Sequence, residues 1–248
     1  MKIQTKFVYL VPPLAVAVHG LRRALYLAAV DEKGLLVSGH PLSLALWAAV
    51  LCGAVLIAAA VWKLDGAGTY ADNFKAAPMA ALAHLWLVLV IGRMVLRNDF
   101  QGMDRIALLL RVVGAVTVPG LVWAGVDRFR GRKPFFLVHA GLTVFLLLYL
   151  ISWYQVWSAN PQMQDYVFDL LGGVALVLFG YQLTAFEADR GNRRLHLAMG
   201  LLAVLLCAGA LAGPENFDLY GAGMIWAATD LCRVIPPKKD EVEVHDPA

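Results

Sequence analysis

The sequence predicts an all-α fold, a polytopic transmembrane bundle of about eight spans. Three observations predict it. Apolar runs of about 20 residues, enough at 1.5 Å rise per residue to cover a hydrocarbon layer of roughly 30 Å, recur along the chain. Hydrophobic residues make up 60% of the 248 and charged residues 16%, with a mean hydropathy of +0.66, outside the range of a soluble domain. Between the runs lie short turns rich in Gly, Pro, Asn and charge, and none is long enough to fold as a soluble domain.

The first segment, 7–30, opens near Pro12-Pro13 and carries His19, Arg22 and Arg23. Lys2 and Lys6 before a run ending in Ala15-Val-Ala17 also fit a signal peptide, but the apolar pattern continues through Leu25–Val30 and favours a span. Segment two, 42–62, is apolar throughout and stops at Asp65-Gly-Ala-Gly. Segment three, 79–96, is short, and segment four, 106–126, holds Arg111 and a candidate break at Pro119-Gly120. Arg130-Gly-Arg-Arg-Lys-Pro134 separates it from segment five, 135–157. Ser158-Ala-Asn-Pro161 and Asp189-Arg-Gly-Asn192 bound segment six, 167–186. Segment seven, 195–213, ends in Gly209-Ala-Leu-Ala-Gly213, whose small residues let helices approach closely within the bundle or across a homodimer seam. The eighth, 219–235, contains Gly221, Gly223 and Asp230. Without the first or the last segment the count falls to seven. Residues 1–235 form one transmembrane domain on this reading, and 236–248 a short charged tail.

Lys and Arg gather on the cytoplasmic side of short loops. With the N-terminus inside, seven of the 21, namely Arg22, Arg23, Lys33, Arg93, Arg97, Arg105 and Arg111, fall outside, and the other fourteen inside. Both termini are therefore expected in the cytoplasm of a cell whose plasma membrane holds the chain. Spans rich in Ala, Leu and Val with arginine-rich inner turns are in the style of bacterial membrane proteins.

Each even-numbered segment leaves through an aromatic residue and an aspartate: Trp62/Asp65, Trp123/Asp127, Phe186/Asp189 and Trp226/Asp230. His84, His139 and His196 stand near the inner ends of segments three, five and seven, 55 and 57 residues apart. Tandem helical hairpins produce this spacing, and so do ordinary aromatic girdles.

Several chemistries are excluded. No basic surface of the nucleic-acid-binding kind is present, and Cys52, Cys207 and Cys232 lie in apolar runs without metal or disulfide spacing. No lysine lies within a span to form a retinal Schiff base, and a GxSxG elbow is absent. No cofactor is favoured, and the residues point away from an enzyme.

Two polar groups need an account, because ionisable residues within a span usually face the bundle interior or a cavity. His19, Arg22, Arg23, Arg93, Arg111 and Asp169 lie toward the outer side. If their faces converge they form a cationic pocket for a small anion, an anionic amphiphile or a lipid headgroup, with Arg111 the deepest guanidinium. Snorkelling to the headgroups is the plainer account. On the inner side stand His84, His139 and His196 with Asp65, Asp127, Glu187, Asp189 and Asp230. That set fits a metal or haem ligated by histidine, a proton relay, or histidines hydrogen-bonded near helix ends. The leading expectation is binding or transport of an anion at the outer arginines. The alternatives are a non-catalytic subunit with a membrane protein partner, and a redox protein using the inner histidines.

Overall fold

The computed structural model describes residues 9–30, 36–37, 39–62, 64, 67–100, 104–159, 163–213, 217–232 and 234. Asp65, the N-terminal lysines, Lys33, Lys63 and the tail 236–248 lie outside the described residues.

The predicted helices form. They are α1 (Val11–Ala28), α2 (Pro41–Val61), α4 (Pro78–Arg97), α5 (Asp104–Phe129), α6 (Phe136–Trp157), α7 (Met163–Glu187), α8 (Arg193–Ala210) and α9 (Phe217–Leu231). Proline in the first turn starts α1, α2 and α4, where the missing N–H is not needed. The His40 ring accepts from the Leu42 N–H at 3.2 Å and Asn192 caps the Leu195 N–H at 3.1 Å. Asn98, at φ 56°, ends α4 in a left-handed turn. Pro119-Gly120 does not break α5, which runs three residues past its expected end at 126 to Phe129. The segment between α2 and α4, expected as a plain turn, holds a two-residue strand β1 (Ala67–Gly68) and a four-residue helix α3 (Tyr70–Asn73). Strand β1 pairs antiparallel with β2 (Gly191–Asn192), Ala67 opposite Asn192 and Gly68 opposite Gly191.

Six helices, α2 and α4 to α8, are long and apolar enough to cross a membrane, so the chain is a multi-pass membrane protein. Exposed Leu44, Leu51, Val55, Leu89, Leu96 and Val116 give these helices an apolar outer surface suited to lipid. The outer two elements of the expected eight differ: α1 has the length, 18 residues, but carries His19, Arg22 and Arg23, and α9 has only 15 residues. Both nonetheless lie along the spans, α1 against α2 and α8, and α9 against α4 and α8. Helix α8 is the centre, touching α1, α2, α7 and α9, and eleven of its 18 residues are buried. Alternate helix directions bring the starts of α4, α6 and α8 to the same end as the finishes of α5, α7 and α9. That end collects His84, His139 and His196, and Arg22 marks the opposite one.

Gly209 tests this packing. A Cβ there meets Phe168 Cδ1 at 2.3 Å, and Phe168 stacks on Trp47 at 5.4 Å and under the Arg22 guanidinium at 4.9 Å. Gly92 has nothing within 4 Å of its Cβ position. Gly209→Ala should cost about 1–3 kcal/mol of stability through overpacking, and Gly92→Ala should be neutral. Thermal unfolding in detergent reads the contrast, and equal melting temperatures would contradict the packing.

Candidate functional site

At the histidine end a chain of buried ionisable groups runs across five helices. His84 comes from α4, Arg128 from α5, His139 from α6, Glu187 from α7 and Asp230 from α9, all 3% exposed or less. His84 can approach α5 because Gly125 faces it, a Cβ there lying 3.3 Å from that of His84.

His84 Nδ1 lies 2.6 Å from the Ala80 carbonyl oxygen, and its Nε2 lies 3.0 Å from His139 Nε2. His139 Nδ1 is 2.9 Å from Glu187 Oε2 and 2.8 Å from Oε1. Arg128 Nη2 donates to Glu187 Oε1 at 3.1 Å, and its Nη1 donates to Asp230 Oδ1. His196 Nε2 stands 3.3 Å from Asp230 Oδ2.

The hydrogen bonds fix a proton count. A carbonyl only accepts, so His84 Nδ1 carries a hydrogen. One hydrogen lies between the two Nε2 atoms and one between His139 Nδ1 and Glu187. Three bonds therefore need three protons, whereas two neutral imidazoles and a carboxylate supply two. Satisfying all three contacts as hydrogen bonds takes one more proton on the His84–His139–Glu187 chain. With it, the positive Arg128 and the negative Asp230 leave the cluster formally neutral, the condition that makes so many buried charges tolerable.

The cluster is walled by rings. Trp226 stacks on His139 with centroids 6.1 Å apart and planes 5° apart, while Phe179, Phe186 and Phe74 ring His196 at 5.0, 5.4 and 5.2 Å. Phe74 belongs to the α3 segment, and Tyr70 packs on it at 5.0 Å. That segment is tied down by the β1/β2 pair and by the Tyr70 N–H donating to Asp189 Oδ1 at 3.2 Å. Asp189, at φ 55°, also accepts from Lys133 on the α5–α6 turn.

The Lys133 hydrogen bond first, and the Tyr70 N–H after it, hold the Asp189 carboxyl below the usual carboxylate range. A depressed folded-state value stabilises above the unfolded-state pKa, and that stability is lost as pH falls through the lowered value. Asp189→Asn, which tolerates the same backbone, should therefore flatten the acid-side fall in melting temperature below about pH 4. An unchanged acid limb would show that the tie carries no weight.

At the opposite end Arg22 is buried, 1% exposed. Its Nη1 donates to Gly209 O at 2.9 Å, and its Nη2 donates to Asp165 O at 2.7 Å, Tyr26 OH at 3.0 Å and Asp169 Oδ2 at 3.1 Å. His19 Nδ1 donates to Ala208 O at 3.0 Å. Of the outer group, Arg22 and Asp169 thus meet, with His19 on the same α1–α8 seam, and they brace α1 against α7 and α8. Arg93 stands apart, paired with Asp218 of α9 at 2.5 Å, and Arg23 and Arg111 are exposed on their own helices. The expected convergence of six residues on one pocket does not form.

The inner histidines divide as well. His84 and His139 share a hydrogen bond, while His196 faces Asp230, so their Nε2 atoms do not converge on one point. No group of three His, Cys, Asp or Glu among the described residues is placed to hold a metal ion. Arg128, counted in the sequence only as an inner loop charge, is the cation at the centre. Of the five inner acids named from the sequence, Glu187 and Asp230 are the ones that are buried among the described residues, and they demand a cation; the three residues by which α5 outruns its expected end bring Arg128 inside. No protein-family model matches the chain, no curated protein matches it, and no solved structure matches it.

Proposed function

We propose that the protein is a proton-coupled membrane transporter, with His84, His139 and Glu187 as its proton relay and Arg128 and Asp230 as the fixed charges that hold the relay in place. The observation that carries this reading is the unbroken chain of buried contacts from the Ala80 carbonyl through His84 and His139 to Glu187, each 2.6 to 3.0 Å long. Chains of buried His and acidic groups are the usual means of passing protons through membrane proteins. The excess of basic residues at the histidine end supports a cytoplasmic position for it, in a plasma membrane.

An anion pocket at the outer arginines has less in its favour. Arg22 already contacts two carbonyls, a carboxylate and a phenol, and Arg93 is neutralised by Asp218. A haem held by the inner histidines has to break the bond between His84 and His139 first.

Reconstituted vesicles carrying a trapped pH dye test the proposal. Under an imposed membrane potential, protein-containing vesicles should take up protons faster than empty ones, with the rate rising on addition of a transported solute. Equal rates under every condition would remove the relay reading.

A further inference from the structure

The three helices that carry His84, His139 and Asp230 at one end also enclose a cavity at the other. It has a volume of about 270 Å³ and is lined by Arg93 and Asp99 at the end of α4, Tyr149 on α6, and Phe217 and Asp218 at the start of α9. The left-handed Asn98 turns the chain back, so that the Asp99 N–H reaches Met94 O at 3.1 Å and the Asp99 carboxylate comes to the cavity wall.

Arg93 and Asp218 are bound to each other at 2.5 Å, whereas Asp99 has no ion-pair partner among the described residues. One cation and two acids leave a formal charge of −1 beside two aromatic residues. Anionic and aromatic walls together recognise organic cations, by charge and by the negative faces of the rings. The volume lies just below that of sites for drug-sized molecules and suits a smaller solute.

We infer that this cavity is a binding site for a small organic ammonium ion, held by Asp99 and the exposed Phe217 ring, with the buried Tyr149 forming part of the wall. It rests on the transporter reading only for its role as the solute site; binding itself stands on the cavity. The charge sign is opposite to that of the anion expected from the outer arginines.

Purified protein in a neutral detergent, at constant ionic strength, is titrated with tetramethylammonium chloride, glycine or sodium phosphate, and its melting temperature is followed. Tetramethylammonium should stabilise saturably, with glycine and phosphate no better than sodium chloride. Asp99→Asn should weaken the tetramethylammonium effect about threefold to tenfold, the range for a part-exposed charge with a ring contact. Tyr149→Leu should weaken it while Tyr149→Phe, which keeps the ring, should not. Phosphate stabilisation, the absence of any saturable effect, or an unchanged Asp99→Asn titration would each overturn the assignment. Proton uptake by vesicles without added solute is independent of this result, so loss of cation binding leaves the relay reading to its own test.

Discussion

Vesicles containing the His139→Gln protein should lose relay-dependent proton uptake by about a hundredfold or more, the lower part of the range for removing a positioned proton carrier. Glutamine is chosen because it keeps the bonds and removes the carrier. Its amide N–H can donate toward Glu187, where His139 Nδ1 lies 2.9 Å from Oε2, and its carbonyl can accept from His84 Nε2. The two bonded neighbours then remain satisfied, and the melting temperature should change little. A proton can no longer pass, because an amide neither gains nor loses one in the accessible range. Intact proton uptake in a folded His139→Gln protein would reduce the histidines to structural hydrogen-bonding groups. Glu187→Gln should give the same transport loss with a larger fall in stability, since it also strips a carboxylate from Arg128.

Arg128→Met should destabilise the bundle by about 3–5 kcal/mol, the cost of breaking a buried pair and leaving its acids uncompensated. The side chains of both acids it serves are 0% exposed, so water cannot take its place. Arg128→Lys should recover only part of the loss, because a single ammonium cannot address Glu187 and Asp230 through separate nitrogens as the guanidinium fork does. The decisive comparison is the double variant Arg128→Met, Asp230→Asn, which removes one cation and one anion together. It should unfold at a higher temperature than Arg128→Met alone. If the double variant is the less stable of the two, Asp230 is not held as the counter-charge of Arg128.

Reading spans from a sequence works because the bilayer imposes one requirement everywhere: a run of about 20 apolar residues with every backbone group satisfied within the helix. The segments 42–62, 79–96, 106–126, 135–157, 167–186 and 195–213 obey it and return as α2 and α4 to α8. Helices α1 and α9 are helical as expected, but their standing is different. Arg22 in α1 is compatible with the core only because carbonyls of α7 and α8 and Asp169 surround it. Asp230 in α9 depends in the same way on Arg128. Such compensation comes from residues over a hundred positions away, and no local window contains it.

The candidate sites separate along the same line. Of the inner group read from the sequence, His84, His139, His196, Glu187 and Asp230 are buried in one region, whereas Asp127 is half-buried and Asp189 exposed. The pairing within the group was not legible, since it depends on which faces of α4, α6, α7 and α9 turn inward. Residue spacing leaves several rotations open. Arg111 illustrates the reverse case. Its position well inside α5 made it the most conspicuous arginine, yet it lies on the exposed face of that helix, where its stem can carry the charge toward the headgroups.

By itself, then, the sequence determined the solvent this chain lives in, the all-α class, the run of helices and the residue types that require an explanation, because each follows from local hydropathy and length. Only the tertiary structure decided that Arg22 is a brace, that Arg128 is the centre of a buried network, and that His84, His139 and Glu187 stand in one chain of contacts. Those outcomes depend on distances of about 3 Å between residues far apart in the chain, the range at which hydrogen bonds form or fail.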